Sequence, residues 1–169
     1  PGVVTRAVQD YARQHDLYYP ISFASEGSSQ IGGNIATNAG GIRVLRYGLT
    51  RDWVAGLKVI DGRGELLECN AGLVKNASGY YFRHLFIGSE GTLGLIVEAT
   101  LRLTAVPPPS RVMLLAVTGL EAMMEVFRCF NDALTLTAFE FLSDAALHYV
   151  SKGHDLPAPM DTNSAYYAL

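Results

Sequence analysis

The sequence has few cysteines, no long apolar run and no concentration of basic residues. Its two cysteines, Cys69 and Cys129, lie in apolar segments, so we expect reduced, buried thiols and neither a disulfide framework nor a metal site. No apolar run approaches the roughly 18–20 residues needed to span a bilayer, and no signal peptide is recognisable. The formal net charge is −3 and no basic stripe is present, which argues against a nucleic-acid partner.

Common nucleotide-binding and nucleophilic motifs are also missing. There is no G-x-x-x-x-G-K-[ST], which argues against a triphosphate held by a P-loop lysine. Gly62-Arg63-Gly64 is followed by Leu67 where a third glycine would be needed, so a Rossmann dinucleotide fold is not indicated. No Ser/His/Asp or Cys/His arrangement stands out, so nucleophilic catalysis has no support and the catalytic residues are unknown.

What the sequence has instead is two glycine clusters. The first is Ile31–Gly41, IGGNIATNAGG, preceded by three serines, and the second is Gly88–Gly94, GSEGTLG. Glycine permits positive φ and lets another molecule approach the main chain closely. We interpret the clusters as two faces of one ligand-binding cleft, in which backbone N–H groups cradle a diphosphate without a lysine. Tight turns and close packing in an ordinary domain are an equally weighted alternative.

Three segments of the chain, in this order and spacing, resemble an FAD-linked oxidase of the vanillyl-alcohol oxidase / p-cresol methylhydroxylase (PCMH) superfamily. They are SEGSSQIGGNIATNAGG, RYGLTRDWVAGLKVIDGRGELL and GYYFRHLFIGSEGTLGLIVEATLRL. The resemblance is strongest over residues 1–103 and is closest to the D-lactate, D-2-hydroxyglutarate and glycolate dehydrogenase branch. It implies FAD as cofactor and oxidation of a D-2-hydroxy acid to the 2-keto acid, with hydride transfer to flavin N5.

The resemblance also implies partners and a location. These are a small 2-hydroxy acid as substrate and a quinone, cytochrome or electron-transfer protein as electron acceptor. A homodimer is compatible with it, as is a cytoplasmic protein, with peripheral membrane association as an option.

By residue-by-residue match, the resemblance implies cofactor contacts in three stretches. They are Ser25, Gly27, Ser28, Ser29 and Gln30; Gly32, Gly33, Thr37, Asn38, Ala39 and Gly40; and Glu90, Gly91, Thr92, Leu93, Gly94, Leu95 and Ile96. Two positions depart from the family pattern: Gln30 stands where Ser or Thr is common, and Tyr81 replaces an Asp. No catalytic base is convincing in this segment.

The predicted fold class is α+β. Residues 1–106 are predicted to form the second, C-terminal lobe of a PCMH-type FAD-binding domain, 107–110 a proline-rich linker, and 111–169 part of a ferredoxin-like cap domain. In the first part, periodicity predicts helices over 4–14 and 31–38, a hairpin over 53–68, and one strand over 94–105 with Leu95, Val97 and Ala99 on one face. In the second part, it predicts strands over 111–117 and 137–142 and helices over 120–134 and 143–152.

Several side chains allow two interpretations. In the first interpretation, one of Arg43, Arg46 and Arg51 contacts an anionic ligand. In the second, all three are solvated charges in loops, and this is the more frequent outcome for loop arginines. His84 is interpreted as a partly buried structural histidine, because Leu85, Phe86 and Ile87 follow it.

Two other functions remain open at this stage. The chain starts without methionine and ends in an apolar stretch, so we expect an internal piece of a longer protein that lacks the first FAD loop. The first alternative function is therefore that of a non-catalytic piece. A flavin-dependent transferase resembling alkylglycerone-phosphate synthase shares the GSEGTLG pattern, but the TNAGG run is closer to the hydroxy-acid group.

Overall fold

The computed structural model describes residues 1–70, 73–160 and 164–169. It divides the chain into two units, Pro1–Pro108 and Pro109–Leu169. The division falls within the proline-rich segment 107–110, because consecutive prolines cannot continue a helix or a central strand. Both units mix helices with sheet. Their assignment to a second lobe and a cap stays a prediction.

The first unit contains five helices and five strands among its described residues. The helices are α1 Thr5–Gln14, α2 Ile31–Ala36, α3 Val44–Tyr47, α4 Thr50–Trp53 and α5 Arg83–Phe86; the strands are β1 Leu17–Tyr18, β2 Val54–Asp61, β3 Leu66–Cys69, β4 Gly94–Leu101 and β5 Thr104–Ala105. β2 lies between β3 and β4 in an antiparallel sheet, and β1 pairs with β5. None of the helices in the described residues is both long and apolar enough to cross a membrane.

The predicted hairpin is confirmed. β2 pairs with β3 through a turn in which the Asp61 carboxylate accepts hydrogen bonds from the backbone N–H groups of Arg63 (2.8 Å) and Glu65 (2.9 Å). Gly64 has φ +83°, a conformation that favours glycine. The Asp-Gly-Arg-Gly sequence therefore closes the hairpin through its own side chain and backbone.

The prediction of one regular strand over 94–105 is wrong. Val59 pairs with Ile96 while its neighbour Lys58 pairs with Glu98, so Val97 is an extra residue in a β-bulge. Before the bulge, the alternation of buried and exposed side chains is reversed. Ile96 is buried and Leu95 is 66% exposed, the opposite of the sequence prediction. Strand β4 also ends at Leu101, before β5 begins.

The core of the first unit lies between the helices and the three-stranded sheet. Ala12 of α1 and Ile31 and Ile35 of α2 pack in one cluster with Val54, Leu57, Val59 and Ile96 of the sheet. Each fully buried Val or Ile side chain is worth about 1.5–3 kcal/mol of transfer free energy. This packing fixes α2 against the beginning of β4, and so brings together the chain segments that carry the two glycine clusters.

The second unit has a three-stranded antiparallel sheet. Its elements are β6 Leu115–Val117, α6 Leu120–Ala133, β7 Phe141–Ser143, α7 Asp144–His154 and β8 Tyr166–Ala168, with β8 between β6 and β7. The predicted strands over 111–117 and 137–142 are shorter or shifted, whereas both helices are confirmed. The Ser143 hydroxyl caps α7 by accepting a hydrogen bond from the Ala146 N–H (3.2 Å). The ferredoxin-like assignment stays a prediction.

The expectation that both cysteines are buried is half wrong. Cys69 is buried in the core of the first unit, where burial raises the pKa of its thiol. Cys129 is exposed, because α6 turns Met123 and Val126 inward and Cys129 outward. The apolar composition of α6 therefore overstates how much of that helix is buried.

Candidate functional site

The two glycine clusters meet in one groove of the first unit. The groove has a volume of about 460 Å³ and is lined by Gly32, Gly33 and Ala36 of α2 and by Gly91, Gly94, Leu95 and Ile96 at the entrance of β4, together with Pro1, Gly2 and Gln30. Two backbone hydrogen bonds join the clusters, from Gly88 N to Ile35 O (3.1 Å) and from Glu90 N to Ala36 O (2.8 Å). The two clusters therefore face one groove, and ligand binding in it stays a prediction.

Some glycines in the clusters are needed for close packing inside the protein. A Cβ on Gly94 would lie 2.7 Å from the carbonyl oxygen of Ile60, and one on Gly32 would lie 2.7 Å from Pro1 Cβ. A Cβ on Gly41 would overlap the carbonyl oxygen of Ser22. We refer to Gly32, Gly41 and Gly94 as the packed glycines, and for them the packing interpretation is correct.

Gly33 and Gly91 are different, and we refer to them as the open glycines. Apart from the two chain neighbours and, for Gly33, the backbone of its own helix, no atom among the described residues lies within 4 Å of a Cβ built on either of them. Gly91 has φ +78°, which by itself favours glycine. Gly33 lies inside α2, where glycine costs about 0.5–1 kcal/mol relative to alanine. Nothing in the described protein explains its lack of a side chain, so the space beside it is free for a ligand.

The second cluster also offers backbone donors. Within the part of the chain that the structure describes, the N–H groups of Gly91 and Leu93 donate no hydrogen bond to the protein. The loop is held in shape from within, because the Thr92 hydroxyl and backbone N–H both donate to the Ser89 carbonyl, at 2.7 and 3.0 Å. N–H groups that a glycine-rich turn leaves unpaired are available as donors to an anion.

The loop before α2 that carries Ser25, Ser28 and Ser29, which we call the serine loop, is fixed by a buried polar network. Thr5 is fully buried, and its hydroxyl lies 2.8 Å from the Ser29 hydroxyl and accepts a hydrogen bond from the Asn34 amide (2.7 Å). The backbone N–H of Thr5 donates to the Ser29 carbonyl (2.9 Å). The network joins α1, the serine loop and α2.

Glu26 is a second anchor of the same loop. Its carboxylate accepts hydrogen bonds from Gln9 and Ser22, each at 3.0 Å, and pairs with Arg6. The hydrogen bond from Gln9 is the largest cause that lowers the pKa of Glu26, and the Ser22 hydrogen bond and the Arg6 charge act in the same direction. Thr5, Gln9 and Glu26 were not predicted as anchors from the sequence, because these hydrogen-bond partners lie 17–29 residues away and no motif links them.

The structure brings only part of the predicted site to the groove. Gln30, Gly32, Gly33, Gly91, Gly94, Leu95 and Ile96 line it, and the other predicted residues do not. Asn38 accepts a hydrogen bond from the Arg51 N–H (2.9 Å), and the Ala39 carbonyl accepts one from the Thr50 hydroxyl (2.7 Å). Thr37 bonds back to the Gly33 carbonyl (2.9 Å). Contacts of these residues with a cofactor stay a prediction.

Of the three arginines, Arg51 is neither a solvated loop charge nor a residue of the groove lining. Its guanidinium donates to the backbone carbonyls of His84 (3.0 Å) and Ile87 (2.7 Å), so it fixes the end of α5 just before the second glycine cluster. Arg43 lies over the Tyr18 ring, 5.6 Å from its centroid, and donates to its hydroxyl, whereas Arg46 is exposed. Arg51 is therefore a structural clamp.

His84 is partly buried and structural, as predicted. Its Nδ1 lies 3.1 Å from Arg51 Nη1. Burial is the largest cause that lowers its pKa, and the charges of Arg83 and Arg51 lower it further. A neutral ring with Nδ1 as acceptor fits this contact. No group of three or more His, Cys, Asp or Glu side chains among the described residues is arranged to hold a metal ion.

Comparisons with known proteins find a matching family profile and similar sequences. The family profile of the FAD binding domain matches residues 1–70. The chain is 60% identical over 168 residues to a D-2-hydroxyglutarate dehydrogenase of Xanthomonas citri pv. viticola, covering 99% of this chain and 35% of that protein. It is 56% identical over 169 residues to a D-2-hydroxyglutarate dehydrogenase of Stutzerimonas stutzeri, covering 100% and 36%.

A solved structure shares the fold. It is an alkyldihydroxyacetonephosphate synthase, with a TM-score of 0.71 and 20% identity, covering 98% of this chain and 34% of that one. At this identity the likeness concerns the fold alone. The chain spans about a third of the length of the curated relatives it matches. The profile match to the FAD binding domain, over residues 1–70, includes the serine loop and the first glycine cluster.

Proposed function

We propose that the groove between the two glycine clusters binds FAD, and that the protein oxidises D-2-hydroxyglutarate to its 2-keto acid. The observation that supports FAD binding is Gly33, a helical glycine with free space beside it on the wall of a groove. The support for the substrate is the name carried by relatives 56% and 60% identical to this chain. The acceptor in this proposal is a quinone, a cytochrome or an electron-transfer protein.

The residues of the groove fit a dinucleotide cofactor. The unpaired N–H of Gly91 on the groove wall, and that of Leu93, which precedes the lining residue Gly94, supply donors for a phosphate oxygen. Gly33 and Gly91 let the cofactor approach the backbone. Leu95 and Ile96 supply apolar surface. The groove lining contains no charged side chain, so an anionic cofactor would be held by backbone dipoles. When bound, FAD supplies the hydride acceptor of the reaction.

The contribution of this chain is binding and orientation. The Thr5–Ser29–Asn34 network holds the serine loop against α1 and α2, and Glu26 anchors the same loop. Arg51 holds the end of α5, so that the second glycine cluster starts from a fixed point. A preorganised cradle loses less conformational entropy when it binds its ligand.

Flavin retention tests the cofactor part of the proposal. The chain is incubated with FAD and passed through gel filtration, and the flavin absorbance that coelutes with protein is measured. We expect flavin to be retained, and we expect Gly33→Leu to abolish retention, because the new side chain fills the groove while leucine favours a helix.

A matched control exists in the second unit. Gly153 is also a helical glycine with no atom within 4 Å of a built Cβ, but it lies outside the groove. Gly153→Leu is expected to retain flavin as the unchanged chain does. A colourless unchanged chain, or equal retention by the two variants, would contradict the proposed site.

The substrate part is tested on a protein of the length of the curated relatives. Reduction of bound flavin by D-2-hydroxyglutarate, D-lactate and glycolate is followed without an added acceptor. We expect D-2-hydroxyglutarate to bleach the flavin fastest. Faster bleaching by D-lactate or glycolate would contradict the substrate assignment without affecting the FAD site.

A further inference from the structure

Arg83 is a buried cation without an anionic partner. The residue is 9% exposed, and its guanidinium makes no hydrogen bond or ion pair with any residue that the structure describes. Its Nε in particular is buried and unpaired. The guanidinium lies over the Tyr81 ring, whose centroid is 5.0 Å from Arg83 Cζ. An aromatic face attracts a cation but leaves its hydrogen-bond donors unsatisfied.

The guanidinium borders a cavity that is separate from the glycine groove. This cavity has a volume of about 420 Å³ and lies between strand β3 and the segment 76–86. Aromatic side chains make up much of its wall, namely Tyr80, Tyr81, Phe82 and Phe86. Asn70 also lines it, and the buried Oδ1 of Asn70 has no hydrogen-bond partner among the described residues. None of the residues that line the glycine groove lines this cavity.

A partly desolvated guanidinium without a counter-charge favours the binding of an anion. A guanidinium stays protonated at any physiological pH, so Arg83 cannot lose its charge in response to burial. Removing a charge from water without a counter-charge is destabilising. A bound anion would offset this cost and pair with the fork of donors.

We propose that the Arg83 cavity is a binding site for a small organic carboxylate with an apolar or aromatic body. The carboxylate pairs with the Arg83 guanidinium, and the body packs against Tyr80, Phe82 and Phe86. The unpaired Oδ1 of Asn70 accepts a hydrogen bond from a donor group of the ligand. This site does not depend on FAD binding.

The charges of the lining favour a carboxylate over a phosphate. Glu68 places a carboxylate on the same wall as Arg83, but the two side chains form no ion pair among the described residues. A phosphate dianion would face one arginine and the repulsion of Glu68, whereas a carboxylate carries one charge that Arg83 alone balances.

Calorimetric titration of the full chain tests the site. The probes are phenylacetate, phenylacetamide as a neutral molecule of the same shape, and inorganic phosphate as an anion without an apolar body. Because a hydrogen bond to a charged group is worth more than one between neutral groups, we expect phenylacetate to bind at least about tenfold more tightly than either of the others. Equal binding of phenylacetamide or of phosphate would overturn the proposal.

Two variants locate the binding. Arg83→Met keeps much of the side-chain length and removes the charge, and we expect it to weaken phenylacetate binding at least about tenfold without lowering Tm. Arg46→Met, at an exposed arginine outside the cavity, is the control and is expected to bind normally. Unchanged affinity in Arg83→Met would overturn the proposal.

A second change keeps the test decisive if Arg83→Met fails to fold. Tyr81→Asp places a carboxylate beside Arg83 and supplies the missing partner from within the protein. We expect this variant to lose phenylacetate binding at least about tenfold and to melt at the same or a higher temperature. Retained binding would show that the anion does not pair with Arg83.

Discussion

The packed and open glycines lie in the same two clusters but lack a side chain for different reasons. At Gly32, Gly41 and Gly94, a Cβ would meet another part of the same protein, so the cause is internal. At Gly33 and Gly91 the space is free, and at Gly33 the backbone conformation does not require glycine either. The comparison separates residues that build the groove from residues that leave room for what binds in it.

The largest expected effect is at a packed glycine. In Gly41→Ala, the new Cβ overlaps the carbonyl oxygen of Ser22, which is backbone and cannot rotate away. We expect the free energy of unfolding to fall by about 3 kcal/mol, measured by urea denaturation. Gly62→Ala is the control, because no atom lies within 4 Å of its built Cβ. A loss in Gly41→Ala no larger than in the control would contradict the packing argument.

A smaller effect is expected in the network behind the serine loop. Thr5→Val keeps the shape of the side chain and leaves the Asn34 amide without its acceptor. We expect a loss of about 1–3 kcal/mol and weaker flavin retention, because the side-chain hydrogen bonds that join α1 to the serine loop and α2 are lost. Thr5→Ser keeps the hydroxyl and should restore flavin retention. If Thr5→Val and Thr5→Ser retain flavin equally, the network does not position the loop.

The Glu26 anchor predicts a pH dependence. The pKa of Glu26 is lower in the folded protein than its ordinary value of 4.5, so its contribution to stability is present above that value. The contribution is lost as the pH falls through the folded pKa. We expect the difference in Tm between the unchanged chain and Glu26→Gln to be positive at pH 7 and to shrink below about pH 4.5. A difference that stays constant with pH would show that the charge of Glu26 is not involved.

The smallest expected effect on stability, and one of opposite sign, is at an open glycine. Gly33→Ala adds a methyl group to free space in a helix, so we expect the protein to gain about 0.5–1 kcal/mol. The same methyl group intrudes on the groove, so flavin retention should fall while the melting temperature rises. A variant that is more stable and binds flavin normally would show that the space beside Gly33 is not used.

Much of the first unit could be predicted from local sequence. The hairpin follows from Asp61-Gly62-Arg63-Gly64, which supplies its own turn hydrogen bonds, and α1 follows from its apolar spacing. The face of β4 was mispredicted because the bulge at Val97 depends on pairing with β2, and alternation alone does not reveal it. Cys129 was misplaced because apolar composition does not say which side of α6 packs.

The candidate site was predictable where it depends on glycine and unpredictable where it depends on distant partners. The two clusters could be recognised and expected to meet, since the residue type itself signals close approach. Which glycines are packed and which are open depends on Ser22, Ile60 and Pro1, which lie elsewhere in the chain. The role of Arg51 as a clamp on α5 depends likewise on carbonyl groups more than 30 residues away.

The central claim is that FAD lies against the open glycines, and amide NMR tests it most directly. Two-dimensional ¹H–¹⁵N spectra of the chain are recorded with and without FAD. We predict the largest shifts for the amides of Gly33, Gly91 and Leu93, with little change at Gly153 in the second unit. Shifts that are absent, or as large at Gly153 as at Gly33, would contradict the proposed binding groove.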